Sequence, residues 1–342
     1  MTDINGTTGP YPSSLIKTTA LSLGFSACGI ARACRVSEEE ESNFRKWIAR
    51  GHQAEMHYME RYLDQRLDPR LLLPGARSIV SVALNYAPTR QAGGFHLAAY
   101  ALGQDYHDVV RQKLFELARQ IGCRQTGTDF RVCVDTAPIL ERYWAIQAGL
   151  GWQGKSRQLI VCAHADTTGP SDATVRRPLG TMFFLGELLL TGEADRYDRP
   201  MENHCGTCRR CIDACPLGAL SASGDPGDFD AEKCLSYQTI EHRGPLSDEA
   251  AARMGTCIYG CDICQQVCPM NRHAVPTTIP EFQPKPGLMA MTDEQWRQLT
   301  VEQYRTLFKG SAVKRAKYEG LVRNIRAAVA HGTPQDDQHA DT

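Results

Sequence analysis

One run of cysteines limits what this chain can fold around more than anything else in it: Cys205-x-x-Cys208-x-x-Cys211-x-x-x-Cys215-Pro216. The spacing is that of bacterial ferredoxins, in which three thiolates hold one 4Fe–4S cluster and the fourth reaches to a second. The reason is reach. Two-residue gaps wrap tightly round one cubane, and the longer gap with its proline turns the chain away. A second run, Cys261-x-x-Cys264-x-x-x-Cys268-Pro269, lacks a cysteine three positions before Cys261, where Ile258 stands. The two runs supply seven thiolates, and two cubanes need eight. Cys234 and Cys257 both compete for the last place. Structural zinc is the alternative use of CxxC pairs. Paired runs ending in Cys-Pro with three-residue last gaps favour cubanes, hence one-electron chemistry.

Nine of the 14 cysteines lie between Cys205 and Cys268, and the other five (Cys28, Cys34, Cys123, Cys133, Cys162) are scattered, most of them reading as small buried hydrophobes. Cysteines clustered in this way point to metal in a reducing compartment rather than to disulfides. The start, Met1-Thr2-Asp3-Ile4-Asn5, carries no basic and apolar leader, so a cytoplasmic protein with no membrane partner is expected. The apolar stretch Phe183 to Leu190 contains Glu187 and is far shorter than the ~20 residues of a spanning helix. A net charge of −1, with 42% hydrophobic and 23% charged residues, is a globular balance.

The length of 342 residues suggests two or three domains. The division expected is an α/β (α+β) domain over 14–200, a ferredoxin-like two-cluster domain over 201–275 and a basic helical segment over 276–331. Frayed tails are expected at 1–13 and 332–342. In the first region Ser37 is a cap for a helix running to Gly51, acidic early and basic late. Ser78–Tyr86, Phe130–Val134, Gln158–Cys162 and Thr181–Leu190 read as strands, and Val109–Ile121 as a helix. Pro138–Ala148 reads as a helix capped by Thr136 and stopped by Gly149 and Gly151. Strands alternating with helices imply layered α/β architecture.

No GxGxxG follows a strand, so a dinucleotide fold lacks its signature. Asp135, in Val134-Asp135-Thr136-Ala137-Pro138, ends a strand, where open α/β sheets place reactive groups. A partly desolvated carboxyl there has a raised pKa and can donate a proton. The plainer reading is a cap, or a salt bridge to Arg131 or Arg142. Gly149 to Ser156 ends in Lys-Ser like a P-loop but follows a helix and precedes a strand, which excludes nucleotide binding. Its glycines would still let backbone approach a large ligand. Asp105-Tyr106-His107 invites comparison with the cobalamin motif Asp-x-His-x-x-Gly, but position 110 is Val. A polar cap is the better account of it.

Across about residues 14–331 the chain resembles the epoxyqueuosine reductases. The carriers are Leu84-Asn85-Tyr86, Gly103 to His107, Val134 to Pro138, Glu141-Arg142, Ala148 to Trp152, Phe184 to Leu188, both cysteine runs, Cys234 to Tyr237, Ile258 to Asp262, Ser311-Ala312 and Arg323-Asn324. The resemblance implies base-off cobalamin without a histidine ligand, two 4Fe–4S clusters feeding it single electrons, and loss of an epoxide oxygen as water from a tRNA nucleoside. It implies Asp135 as proton donor. It assigns Cys205, Cys208, Cys211 and Cys268 to one cluster and Cys215, Cys234, Cys261 and Cys264 to the other, with Cys257 spare. It places Asp135, Lys155, Ser156, Leu159, Leu185, Ser236, Cys261 and Asp262 around the corrin, many through backbone. Set against the family pattern, position 156 is Ser where Asn is common, and 163–179 is an insertion best read as a solvated loop. The C-terminal helical repeats of some members are missing.

From Arg305 to Arg326 seven basic residues face one acid, Glu319. A basic helical face of this kind fits tRNA phosphates, with Lys314, Arg315, Lys317 and Arg323 as contacts. An electron-donating reductase, flavodoxin or ferredoxin is the expected redox partner, and a monomer the expected state. The rivals are a reductive dehalogenase-like reductase of a small molecule and a plain electron carrier. The large first domain argues against the carrier, and the basic C-terminus against the dehalogenase.

Overall fold

The computed structural model describes residues 10–89, 94–163, 176–221 and 226–331. Most of the 1–13 tail, the 332–342 tail and most of the 163–179 insertion lie outside the described residues.

The strands are β1 (Ala27–Arg32), β2 (Ser78–Asn85), β3 (His96–Leu97), β4 (Phe130–Cys133), β5 (Gly151–Gln153), β6 (Leu159–Cys162), β7 (Pro178–Gly180), β8 (Phe183–Leu190) and β9 (Cys257–Tyr259). The central sheet has order β1-β2-β8-β4, and every pairing in it is antiparallel. The alternating layers expected from sequence therefore resolve as α+β. The parallel-sheet rule does not explain where Asp135 sits. Strands β2 and β8 are buried on both faces, so alternate residues serve two cores. Val80, Val82, Leu84 and Leu188 face one core with the Tyr106–Gln120 helix. Ile79, Ala83 and Leu189 face the other with the Glu141–Gln147 helix. Glu187 shares the parity of Leu185 and Leu189 and so points into the second core. Gly186 lets the first helix close in, since a Cβ there would strike Val110 and Leu114.

The Ser37-capped helix forms as expected, over Glu38–Ala49, with Ser37 accepting from the Glu40 amide. The helix expected from Val109 starts at Tyr106, because Asp105 caps it by accepting from the His107 amide. The helix expected over Pro138–Ala148 shrinks to Glu141–Gln147. Thr136 does not cap it; its hydroxyl turns back to the Val134 carbonyl. The Glu141 carboxylate reaches the Asp135 amide instead, which leaves 135–140 as a looped connection.

Gly149 stops that helix at φ 68°. Gly151 packs against the Ile160 carbonyl of β6, so the close backbone approach is to the chain itself. A third core joins Phe95, Leu97, Leu235, Ile258 and Tyr259 to Trp296, Phe308, Leu321 and Ile325. The 275/276 boundary therefore marks no gap in packing. No helix among the described residues is long and apolar enough to cross a membrane.

Candidate functional site

The thiols gather in two places. Cys205, Cys208, Cys211 and Cys268 line one cavity together with Gly154, Lys155, Ser156 and Met270. Burial first, then the neighbouring Cys261, Cys234 and Cys215 thiols, pushes the Cys264 thiol up. Cys234 is raised to about 11 by burial, opposed by the Ser236 and Tyr237 amides and helped by Cys261 and Cys215. Cys257 is buried in β9, with its thiol against Cys261. It therefore lies next to the second group of thiols. An open groove of about 670 Å³ passes Cys268 and is lined by Arg210, Asn271 and Arg272.

Asp135 lies beyond the end of β4 in the left-handed region, φ 52°, which a non-glycine residue holds only when its surroundings impose it. The surroundings here are specific. The Glu141 Oε1 accepts from the Asp135 amide at 2.5 Å. Tyr106 Oη and His107 Nε2 both reach Asp135 Oδ2, at 2.8 and 2.9 Å. His107 Nδ1 is 2.6 Å from Asp105 Oδ1, so both ring nitrogens are committed. Tyr106 is itself stacked on Phe184, with ring centroids 4.3 Å apart.

The electrostatics reverse the sequence expectation for Asp135. Burial raises its carboxyl pKa, but the His107 and Tyr106 hydrogen bonds and the His107 and Arg315 charges outweigh this and hold it below the ordinary value. The side chain is 55% exposed and ionised. Burial lowers the His107 pKa, and the Asp105 and Asp135 carboxylates more than reverse this, lifting it to about 9. The proton is therefore one hydrogen bond behind the carboxylate. Arg131 and Arg142 do not bridge Asp135; they donate to the Leu72 and Arg157 carbonyls.

The residues expected around a corrin divide by burial. Ser156, Leu159 and Asp262 are at most 5% exposed and can meet a ligand mainly through backbone. The Asp262 carboxylate accepts from the Ala99 amide and the Gln265 side chain. Lys155 Nζ donates to the Gly206 and Cys208 carbonyls, which ties it to the first quartet. Leu185, Ser236 and Cys261 are partly exposed. A row of aromatic rings runs from Tyr259, two residues before Cys261, to Tyr106, which donates to Asp135: the Tyr100 ring centroid lies 6.1 Å from that of Tyr259 and 6.3 Å from that of Tyr106.

The basic C-terminus is not one helical face. It is split between a helix at Val301–Leu307, a 3₁₀ turn at Ala312–Ala316 and a helix at Lys317–His331. Lys314 and Lys317 are exposed. Arg315 is clamped by both Glu241 oxygens, at 2.7 and 2.8 Å, and lies over the Tyr58 ring. Arg323 spends all five N–H donors on the Gln238, His242 and Gly244 carbonyls and on Asn324 Oδ1. Nothing remains for a phosphate, and the expected Arg323 contact is replaced by a structural role.

Sequence reasoning read Tyr106 and His107 only as part of a polar cap and gave no role to Glu141 or Glu187. The one signal available was an acid, Glu187, in an otherwise apolar strand.

The chain is similar to several known proteins. Residues 204–271 match the model of a 4Fe-4S double cluster binding domain, and residues 66–136 match that of Epoxyqueuosine reductase QueG. An epoxyqueuosine reductase of Cellulophaga algicola is 40% identical over 92% of this chain and 96% of its own length. That of Escherichia coli K12 is 36% identical over 94% and 81%. A crystal structure of epoxyqueuosine reductase with an epoxyqueuosine-modified tRNA-Tyr stem loop superposes with TM-score 0.77 and 28% identity. It covers 93% of this chain and 80% of that one. A Bacillus subtilis epoxyqueuosine reductase, whose catalytic aspartate loop is swung out of the active site, gives 0.78 and 27% over the same shares. Fold and site together define an oxidoreductase with a double 4Fe–4S cluster domain. The chain belongs to the epoxyqueuosine reductase family.

Proposed function

We propose that the chain reduces epoxyqueuosine at the wobble position of a tRNA anticodon to queuosine, using cobalamin and two 4Fe–4S clusters. The observation that carries this reading is the gathering of eight thiols into two quartets. Cys205, Cys208, Cys211 and Cys268 hold one cluster; Cys215, Cys234, Cys261 and Cys264 hold the other. Four thiolates are the donor set a cubane takes. Full commitment of both His107 ring nitrogens supports a base-off corrinoid without a histidine ligand. Asp135, Lys155, Ser156, Leu159, Leu185, Ser236, Cys261 and Asp262 would hold it. Bound there, these groups supply single electrons and a cobalt centre able to break a C–O bond.

The chain's own residues manage the proton. His107 holds it on Nε2 against Asp135 Oδ2, and Asp135 delivers it to the departing epoxide oxygen. Tyr106 keeps the carboxylate aimed, and Asp105 keeps the imidazole charged. Lys314 and Lys317 meet tRNA phosphates, with Arg315 fixed beside Tyr58 at the rim. An electron-donating reductase, flavodoxin or ferredoxin reaches the first cluster at the groove beside Cys268. Residues 14–200 form most of the corrin-holding unit, Ser236, Cys261 and Asp262 of the 201–275 cluster unit complete it, and 276–331 form the helical closure.

The test is an anaerobic assay on epoxyqueuosine-containing tRNA, with and without cobalamin, analysed for queuosine. Product that forms equally without the corrinoid would end this reading. Asp135→Asn should bind cobalamin yet lose most turnover; near-normal turnover would remove the proton-delivery role.

A further inference from the structure

Glu187 sits in the middle of β8, opposite Ser81 on β2 and Cys133 on β4. It is 0% exposed, and neither of its carboxyl oxygens has a hydrogen-bond donor. The Ser81 hydroxyl beside it is also without a partner. Its neighbour is a half-buried carboxyl, Glu141, the group that grips the Asp135 amide. As two carboxylates the pair would be two like charges side by side, with four acceptor oxygens and only the Asp135 amide and the Ser81 hydroxyl to serve them. As a pair sharing one proton, one acid donates to the other and leaves the outer Glu141 oxygen for Asp135.

We infer that Glu187 is a positioning residue. It keeps a proton shared with Glu141, and that proton latches the Asp135 loop in its left-handed, site-facing position. The inference rests on Asp135 being the reacting carboxylate of this site. The pair does not feed the reaction with protons, because Glu141 touches the Asp135 backbone and not its carboxyl. Loss of the shared proton places a second negative charge behind the loop and loosens it.

The groups that set this equilibrium come from every packed element. Asp135 and Cys133 oppose ionisation. His107 and Arg142 favour it, as does Arg66, which faces Glu141. Arg131 lies next to Cys133, and the Tyr106 hydroxyl also feels Glu141. Burial first, then the charge of Asp135, lifts Glu141 to about 8, and Glu187 stands well above the usual carboxyl range.

The experiment uses the anaerobic holoprotein. Its infrared spectrum should show buried protonated carboxyls at pH 7, one of which is missing in Glu187→Gln. Amide exchange at 135–137, corrected for intrinsic rate, should be faster in Glu187→Ala, which has no donor for Glu141, than in the wild type or in Glu187→Gln, whose amide can still donate. kcat should fall in Glu187→Ala alone, with KM for tRNA unchanged. Absence of the protonated-carboxyl band at pH 7 overturns the inference whether or not the variant folds. So does equal exchange at 135–137 in the wild type, Glu187→Gln and Glu187→Ala. Neither readout depends on turnover, so failure of the latch and failure of the proposed reaction are separately visible.

Discussion

The Asp105–His107–Asp135 chain can be weighed by replacing His107 with Gln. The imidazole is 23% exposed, so solvent screens it only in part. The rise of its pKa from 6.5 to about 9 corresponds to about 3 kcal/mol of favourable interaction between imidazolium and carboxylates. The lowered pKa values of Asp105 and Asp135 are the same interaction seen from its partners and are counted once. Because the folded pKa is raised, this stabilisation is complete below pH 6.5 and is lost as pH climbs through about 9. The assay is anaerobic denaturant unfolding of wild type and His107→Gln at a series of pH values. Terms common to both proteins, including titration of the Glu141 pair, largely cancel in the difference. The gap should be about 3 kcal/mol near pH 6 and should shrink below ~1 kcal/mol by about pH 10, when only a neutral hydrogen bond is lost. A gap that stays constant across that range would mean His107 is neutral in the folded protein. The proton store behind Asp135 would then not exist.

The cluster assignment predicts about eight irons per chain, unchanged in Cys257→Ser and reduced to about four in Cys234→Ser; equal iron in both variants would return the eighth ligand to dispute. Reversing charge at Lys314 and Lys317 should weaken tRNA binding and flatten its salt dependence by roughly 1–2 in the log–log slope. An unchanged slope would take these lysines off the interface. Arg323→Lys should cost about 3 kcal/mol of stability, because an ammonium cannot reach the carbonyls that the guanidinium spans. The same variant should leave tRNA affinity alone, and a loss of affinity without loss of stability would restore Arg323 as a phosphate contact.

The cysteine runs were legible because their geometry is local. Two- and three-residue gaps fix how far apart thiols can stand, so the sequence by itself determined that the chain folds around cubanes. Family resemblance, and not spacing, separated Cys234 from Cys257. The Ser37 cap, the buried strands and the Gly149 stop were equally local and equally readable. The basic C-terminus was misread as one surface, since composition cannot reveal that Arg323 turns inward to carbonyls near residue 240 or that Arg315 is held by Glu241. The raised pKa expected for Asp135 failed because burial was weighed without its partners. His107 lies 28 residues away in sequence, and its approach depends on where the Tyr106–Gln120 helix docks. Only the tertiary structure decided that Glu141 and Glu187, 46 positions apart, would meet. The register of β8 against β2 and β4 sets the face on which Glu187 lies, and a one-residue slip would send it to the other core. Chain connectivity fixes what neighbouring residues can hold between them, whereas contacts between distant carboxyls exist only once the sheet has closed.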